Sequence, residues 1–306
     1  MTDGPGHTLD EARSRKRSGT IRILFATDGS AAADVALEML CDMPHRRETD
    51  TVTVLTVVPL RPAALGGDGG ISPLVEETAA AEIADLAARH LGARGIHADV
   101  HVGAGSPARA ILTTAVATRS ELIVLGSRGR GLIAGAILGS TARSLARSSP
   151  LPVLVVRERR HAPRRVLVAV DGSPDSRAAI ATLAVLPLPR DTNVVLMHVL
   201  PDARVDLTRA QDLLHVAACQ LPPLWTTHIV VERGDVADRI LERARGLGAD
   251  LIVLGSRGTG IGEGFLQGTT ADKVLSGAHC AVLIGRAAER VKKEEPLPRP
   301  LAQHAV

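Results

Sequence analysis

Short apolar runs, mostly β-branched, alternate along the chain with alanine-rich stretches of helical length, and the alternation occurs twice. In the first half, runs at 21–26, 51–58, 98–102, 122–125 and 153–156 predict five strands, with helices over 31–41, 73–91, 107–119 and 140–148. In the second half, runs at 166–170, 193–199, 228–231, 251–254 and 281–284 predict the same five strands. Strands that are apolar at nearly every position, rather than at every second one, belong to sheets covered on both faces. The pattern therefore predicts an α/β chain of two tandem doubly wound domains, each a five-stranded parallel sheet with helices on both faces, one sheet per half.

The two halves match in text as well as in pattern. Residues 120–129, SELIVLGSRG, pair with 249–258, ADLIVLGSRG, at an offset of 129 (255 minus 126). Upstream, 23–30, ILFATDGS, pair with 166–173, VLVAVDGS, at an offset of 143 (166 minus 23). Most of the difference falls in the extra Gly/Pro-rich stretch at 61–72 of the first half. A repeat of about 140 residues is domain-sized and too long for a solenoid unit, so the chain reads as a duplicated domain. The expected boundaries are 20–158 and 164–286, flanked by tails at 1–19 and 287–306 whose charged, Gly-, Ser- and Pro-rich composition predicts disorder.

Composition narrows the function classes. With 306 residues and 45% hydrophobic content, the chain can bury two ordinary cores. No apolar run reaches the roughly 18 residues of a membrane span and the N-terminus is polar, so a cytoplasmic location with no membrane partner is expected. Cys41, Cys219 and Cys280 form no CxxC pair and are expected to be buried small hydrophobes rather than metal ligands. The net charge of +3 resides in the ends, +1 in residues 1–19 and +2 in residues 286–306, which leaves a neutral body. With two Phe, one Trp and no Tyr there is little surface for stacking bases, so no nucleic-acid partner is expected.

The candidate chemistry lies in a glycine constellation that also occurs twice. Gly126-Ser-Arg-Gly129 is followed after nine residues by Gly139-Ser140, and Gly255-Ser-Arg-Gly258 after nine residues by Gly268-Thr269. Each follows a predicted strand and leads into an alanine-rich helical stretch. Glycines let the backbone approach a ligand, and a helix N-terminus offers unpaired N–H groups and the positive end of a dipole, a physical preference for phosphate. The plainer alternative is loop punctuation with Ser140 as an ordinary N-cap. Asp28 and Asp171 end the first strand of each half and either cap the following helix or face a ribose or cation. Both lie where ligands of doubly wound sheets sit, beyond the carboxyl ends of the strands.

Several look-alikes carry less. Gly103-Ala-Gly105-Ser-Pro-Ala108 fits a dinucleotide fingerprint, but its counterpart reads Glu232-Arg-Gly234-Asp-Val-Ala237 and the fingerprint normally follows a first strand. There is no G-x-x-x-x-G-K-[ST], hence no Lys placed on a transferring phosphate. His215 and Cys219 share a helix face, for which core packing is expected, and no metal site or catalytic residue is assigned.

The glycine spacing, the Asp-Gly-Ser first turn and the terminal Pro-Val-Leu-Val-Val strand together resemble the universal stress protein family, as a tandem member. The resemblance implies a Rossmann-like, adenine nucleotide alpha hydrolase-like fold that dimerises through the last strand, in a family with ATP-binding and non-binding members. It further implies that Ala26, Asp28 and Val57 line a nucleoside pocket, Gly126 and Gly129 hold the ribose-phosphate side, and Gly139, Ser140 and Thr141 hold phosphates. The matching second-half positions are Ala169, Asp171, Val199, Gly255, Gly258, Gly268, Thr269 and Thr270. Arg130 of the first half is replaced by Thr259, and Glu263 appears beside the second anion site, so the first half is expected to bind more tightly.

The expected function is that of a stress-response protein binding ATP, with Mg²⁺ accompanying the triphosphate, and acting as a ligand-dependent regulator. Slow ATP hydrolysis is the most the residues support, since no Lys, base or arginine finger is placed. Intramolecular pairing of the domains, a homodimer and an unidentified protein partner are further expectations. The alternatives are an interaction or scaffold module with empty cradles and a binder of a different adenine nucleotide, such as a cyclic one.

Overall fold

A computed structural model describes residues 21–45, 50–59, 72–129, 138–157, 161–200, 207–258 and 270–287. The first half contains β1 (Arg22–Ala26), α1 (Ala31–Asp42), β2 (Thr51–Val58), α2 (Pro73–Ala93), β3 (His97–Ala104), α3 (Pro107–Ala117), β4 (Leu122–Gly126), α4 (Ser140–Ser148) and β5 (Val153–Val156). The second repeats it as β6 (Arg165–Ala169), α5 (Pro174–Val185), β7 (Asn193–Leu200), α6 (Leu207–Ala218), β8 (Thr226–Arg233), α7 (Val236–Leu247), β9 (Leu251–Gly255), α8 (Thr270–Gly277) and β10 (Ala281–Gly285). The strands occupy the apolar runs because β4, β5 and β10 are buried at every position, leaving no face that a polar residue could share with water.

The expectation of one sheet per half gives way to a single ten-stranded sheet ordered β3-β2-β1-β4-β5-β10-β9-β6-β7-β8. Within each half the pairings are parallel, whereas β5 and β10 pair antiparallel with Leu154 opposite Leu283, Val155 opposite Val282 and Val153 opposite Ile284. Each last strand would otherwise be an apolar edge with an open row of backbone donors and acceptors. Leu154 and Leu283 match at the repeat offset of 129, so the pseudo-twofold axis passes through this pair. One apolar cluster on each face of the sheet draws residues from both halves, which makes the interior continuous across the seam.

Polar contacts at the seam follow the same symmetry. Arg157, just past β5, donates to the carbonyl of Leu275 near the end of α8. Its counterpart Arg286, just past β10, donates to the carbonyls of Ala146 at 3.2 Å and Arg147 at 2.9 Å near the end of α4. Each half thus places a cation at the negative end of the other's helix. The Arg147–Asp272 ion pair, 3.0 Å, has no such mirror image, because the matching positions are Ser276 and Arg143.

Two cysteines meet the expectation and one does not. Cys41 and Cys280 are buried and Cys219 is exposed. Helix α6 turns Ala210, Leu214 and Ala217 inward, so His215 and the following Cys219 lie on its solvent side, and core packing for that pair is corrected. Burial raises the Cys41 thiol to about 11, which keeps it protonated near neutral pH.

His45, beyond α1, has a side chain only 3% exposed. Its Nε2–H donates to the Leu40 carbonyl at 2.7 Å, since a carbonyl can only accept, and its Nδ1 has no hydrogen-bond partner among the described residues. Burial is the main cause holding the imidazole below its ordinary value of 6.5, against the weaker upward pull of that bond and of the Asp50 carboxylate 3.8 Å away. A folded-state value below the unfolded one means that the unfolded chain takes up the proton first. The stabilisation is therefore complete above 6.5 and is lost as pH falls below it, through the depressed folded value. The melting temperature should accordingly drop between about pH 7.5 and about pH 5.5, and less steeply in His45→Gln. Identical pH slopes for the two proteins would refute this assignment.

Candidate functional site

In both halves the sheet order reverses between the first and fourth strands, and the expected site residues gather where those strands end. After β1, Thr27 donates its N–H to the Leu55 carbonyl at 2.9 Å and the chain turns through Asp28-Gly29-Ser30. Gly29 has φ +67° and its counterpart Gly172 φ +78°, a backbone shape that side chains disfavour, which explains the repeated Asp-Gly-Ser. The helix cap in this turn is Ser30 rather than Asp28: its Oγ accepts from Ala33 N at 3.3 Å. Asp28 Oδ1 accepts from Ser30 N at 3.0 Å, and its Oδ2 lies 2.6 Å from where a Cβ on Gly129 would stand. The second half repeats this. Ser173 caps α5, Asp171 Oδ1 accepts from Ser173 N at 2.9 Å, and Oδ2 lies 2.8 Å from a Cβ on Gly258.

The two glycines of each G-x-x-G turn have different surroundings. A Cβ on Gly126 would stand 2.4 Å from the Ala32 carbonyl oxygen and 2.7 Å from Ala33 N, so Gly126 is where the start of α1 packs onto β4. Gly255 is the same kind of position, 2.7 Å from Ser176 N. Gly129 and Gly258 instead meet only an aspartate carboxylate among the described residues. Sequence spacing could not separate these duties, because both require the absence of a side chain.

The structure brings Gly139 to the Gly126–Gly129 turn. Its N–H donates to the Ser127 carbonyl at 2.8 Å, and its Cα region lies against Arg128 and Gly129. Gly139 itself is the N-cap of α4, and having no side chain it makes no cap bond to that end of the helix. Ser140 and Thr141 are therefore inside the first turn, which corrects the alternative of Ser140 as the cap. Ala26 and Val57 are half-buried at the ends of β1 and β2, and Ala169 and Val199 hold the same places on β6 and β7. Arg130, Thr259, Glu263, Gly268 and Thr269 lie outside the described residues; Thr270 opens α8.

The halves differ at positions that motif comparison passes over. Where the first half has Ala32, the second has Asp175, 3% exposed, which accepts from Ser256 Oγ at 2.5 Å, Arg257 N at 3.1 Å, Arg257 Nε at 3.2 Å and Ala287 N at 2.9 Å. Burial alone would raise this carboxyl, but the bonds from Ser256, Ala287 and Arg257 and the Arg257 charge hold it below its ordinary 3.8. Where the first half has Arg143 in α4, the second has Asp272 in the first turn of α8. Arg128 has no carboxylate partner among the described residues. Its charge, after burial, is a cause of the lowered value of Arg157. At the positions of Asp175 and Asp272 the first half is the more cationic, whereas Asp34 and Ser144 of the first half are matched by Arg177 and Lys273 of the second. Aligning residues 31–33 with 174–176 would have exposed the Ala32/Asp175 difference; its bonding partners are distant in sequence.

Comparison with known proteins bears on the family and the fold. The universal stress protein family profile matches residues 20–157 and 163–286. A universal stress protein of Mycobacterium tuberculosis is 31% identical over 189 residues, 56% of this chain and 63% of that relative, so the match spans less than two thirds of the relative's length. Among solved structures, a universal stress protein from Archaeoglobus fulgidus superposes with TM-score 0.67 at 23% identity, covering 89% of this chain and 99% of that one. One from Pseudomonas aeruginosa gives TM-score 0.59 at 19% identity over 90% and 95%. With the family profile matched in both halves, this chain belongs to the universal stress protein family and carries two copies of its domain in tandem.

Proposed function

We propose that the first half binds an adenine nucleotide, ATP above all, and that the protein is a cytoplasmic stress-response regulator whose output depends on that ligand. The observation that carries the reading is the start of α4: an N-terminus capped by a glycine, with no side-chain cap among the described residues, held against the Gly126–Gly129 turn by the Gly139–Ser127 hydrogen bond. Such an end presents unpaired N–H groups and a positive dipole to a phosphate, and Arg128 and Arg143 add charge of the same sign. Gly129, with no side chain, leaves room for the ribose beside Asp28. Mg²⁺ would arrive with the triphosphate, Asp28 being a carboxylate within reach of it. The second half binds more weakly or not at all, because the buried Asp175 carboxylate already accepts from the Arg257 N–H and guanidinium where the first half has Ala32.

Hydrolysis at this site is slow at most, since among the described residues neither a Lys on the phosphates nor a base for the attacking water stands in the cradle. A homodimer would have to use a surface other than the last strand, whose edge β10 already covers. The test is a thermal melt of the purified full chain with and without Mg-ATP, together with mass spectrometry of any small molecule released on denaturation. At about a hundredfold excess over Kd, ATP should add about 2.7 kcal/mol of stability. An unchanged melting temperature and no released nucleotide would refute the reading in favour of an interaction module with empty cradles.

A further inference from the structure

We propose that Asp175 is a built-in anion that closes the second cradle, so that this half holds its Gly-Ser-Arg-Gly turn without a ligand and admits a nucleotide phosphate only when the carboxylate is removed. The inference rests on the reading of the first half as a nucleotide site and states what became of its copy. The amide of Arg257 belongs to the turn that the repeat offers to a ligand, and it donates to Asp175 at 3.1 Å. The Arg257 guanidinium is held by the same oxygen at 3.2 Å, and the buried Ser256 hydroxyl at 2.5 Å. The other oxygen takes the amide of Ala287 at 2.9 Å and so ties α5 to the end of β10.

None of this is available to the first half, where the matching residue is Ala32 and its side chain cannot accept. The neighbouring position follows the same trend: Ser176 Oγ accepts from Asp171 N at 3.4 Å, whereas its counterpart is Ala33. The charges diverge accordingly. Arg257 forms a neutral pair with Asp175, while Arg128 has no carboxylate partner among the described residues. A phosphate approaching the second turn meets a carboxylate already bonded to the groups that would receive it. The like charge opposes the phosphate, and its donors have no unmet demand.

Calorimetric titration of the full chain with Mg-ATP tests this through stoichiometry. Wild type should bind one equivalent. Asp175→Asn, which keeps the shape and one acceptor oxygen but no charge, should gain a second site at least about tenfold tighter than any second binding in wild type. Asp175→Ala should do the same with a lower melting temperature. Adding Gly129→Ala to each protein should weaken the first-half site at least tenfold, which leaves no tight site in the wild-type background and one in the Asp175 variants. Two equivalents in wild type, or an Asp175→Asn protein that melts cooperatively and gains no site, would overturn the inference. A wild-type chain that binds no ATP refutes the reading of the first half instead. The inference is then decided by whether Asp175→Asn acquires a site from none.

Discussion

Gly126→Ala is expected to destabilise the first half by about 3 kcal/mol, a drop of roughly 10 °C in melting temperature, because the new methyl would overlap backbone rather than a movable side chain. Its Cβ would stand 2.4 Å from the Ala32 carbonyl oxygen and 2.5 Å from the carbonyl carbon, so α1 must lift off β4 to admit it. Gly129→Ala, three residues on, should behave in the opposite way. Its Cβ would meet the Asp28 carboxylate at 2.6 Å, the end of a side chain that can rotate, so stability should change by less than about 1 kcal/mol while ATP binding weakens at least tenfold. Differential scanning calorimetry combined with ATP titration separates the two. A Gly126→Ala protein that melts like wild type would show that the helix and strand are not in this contact, and unchanged ATP affinity in Gly129→Ala would remove Gly129 from the site.

The second large effect is at the seam. Leu283→Asp should cost on the order of 4 kcal/mol, since it places a carboxylate at a position 0% exposed, opposite Leu154, with no fully buried cation among the described residues. The damage should concentrate between the halves, and amide hydrogen exchange should accelerate in β5 and β10 before β1 or β6. Pairing Leu283→Asp with Leu154→Lys should recover part of the loss through a cross-strand ion pair. Protected β5 and β10 amides in Leu283→Asp would contradict the view that these strands join two otherwise complete domains. The exposed Arg147–Asp272 pair contributes less, because water and salt screen it.

Much of the architecture is legible in the chain's own pattern. Apolar runs such as 122–125 and 153–156 are continuous because their strands are covered on both faces, and that continuity alone specifies a parallel sheet between helix layers. Edge strands are read less well. Residues 98–102 announce β3, yet it extends over His97–Ala104, and 228–231 announce β8, which extends over Thr226–Arg233. Polar residues at an edge are compatible with pairing on one side only, so hydrophobicity understates strand length there. The candidate site is legible as a set of neighbouring positions, since Asp28, Gly129 and Gly139 do converge. Their duties are not: Gly126 supports the helix, Ser30 rather than Asp28 caps it, and Ser140 lies within α4.

The sequence by itself determined the duplicated domain, the order of its strands and helices, and the two glycine constellations, because each depends on periodicity and spacing along the chain. Only the tertiary structure decided that the two sheets fuse through β5 and β10, and that Asp175 holds Ser256, Arg257 and Ala287 where Ala32 has no acceptor to offer. The physical reason is range. A strand or a cap is specified by neighbours within a few residues. The bonds that distinguish the two cradles join groups 81 to 112 residues apart and exist only once the sheet has brought them together.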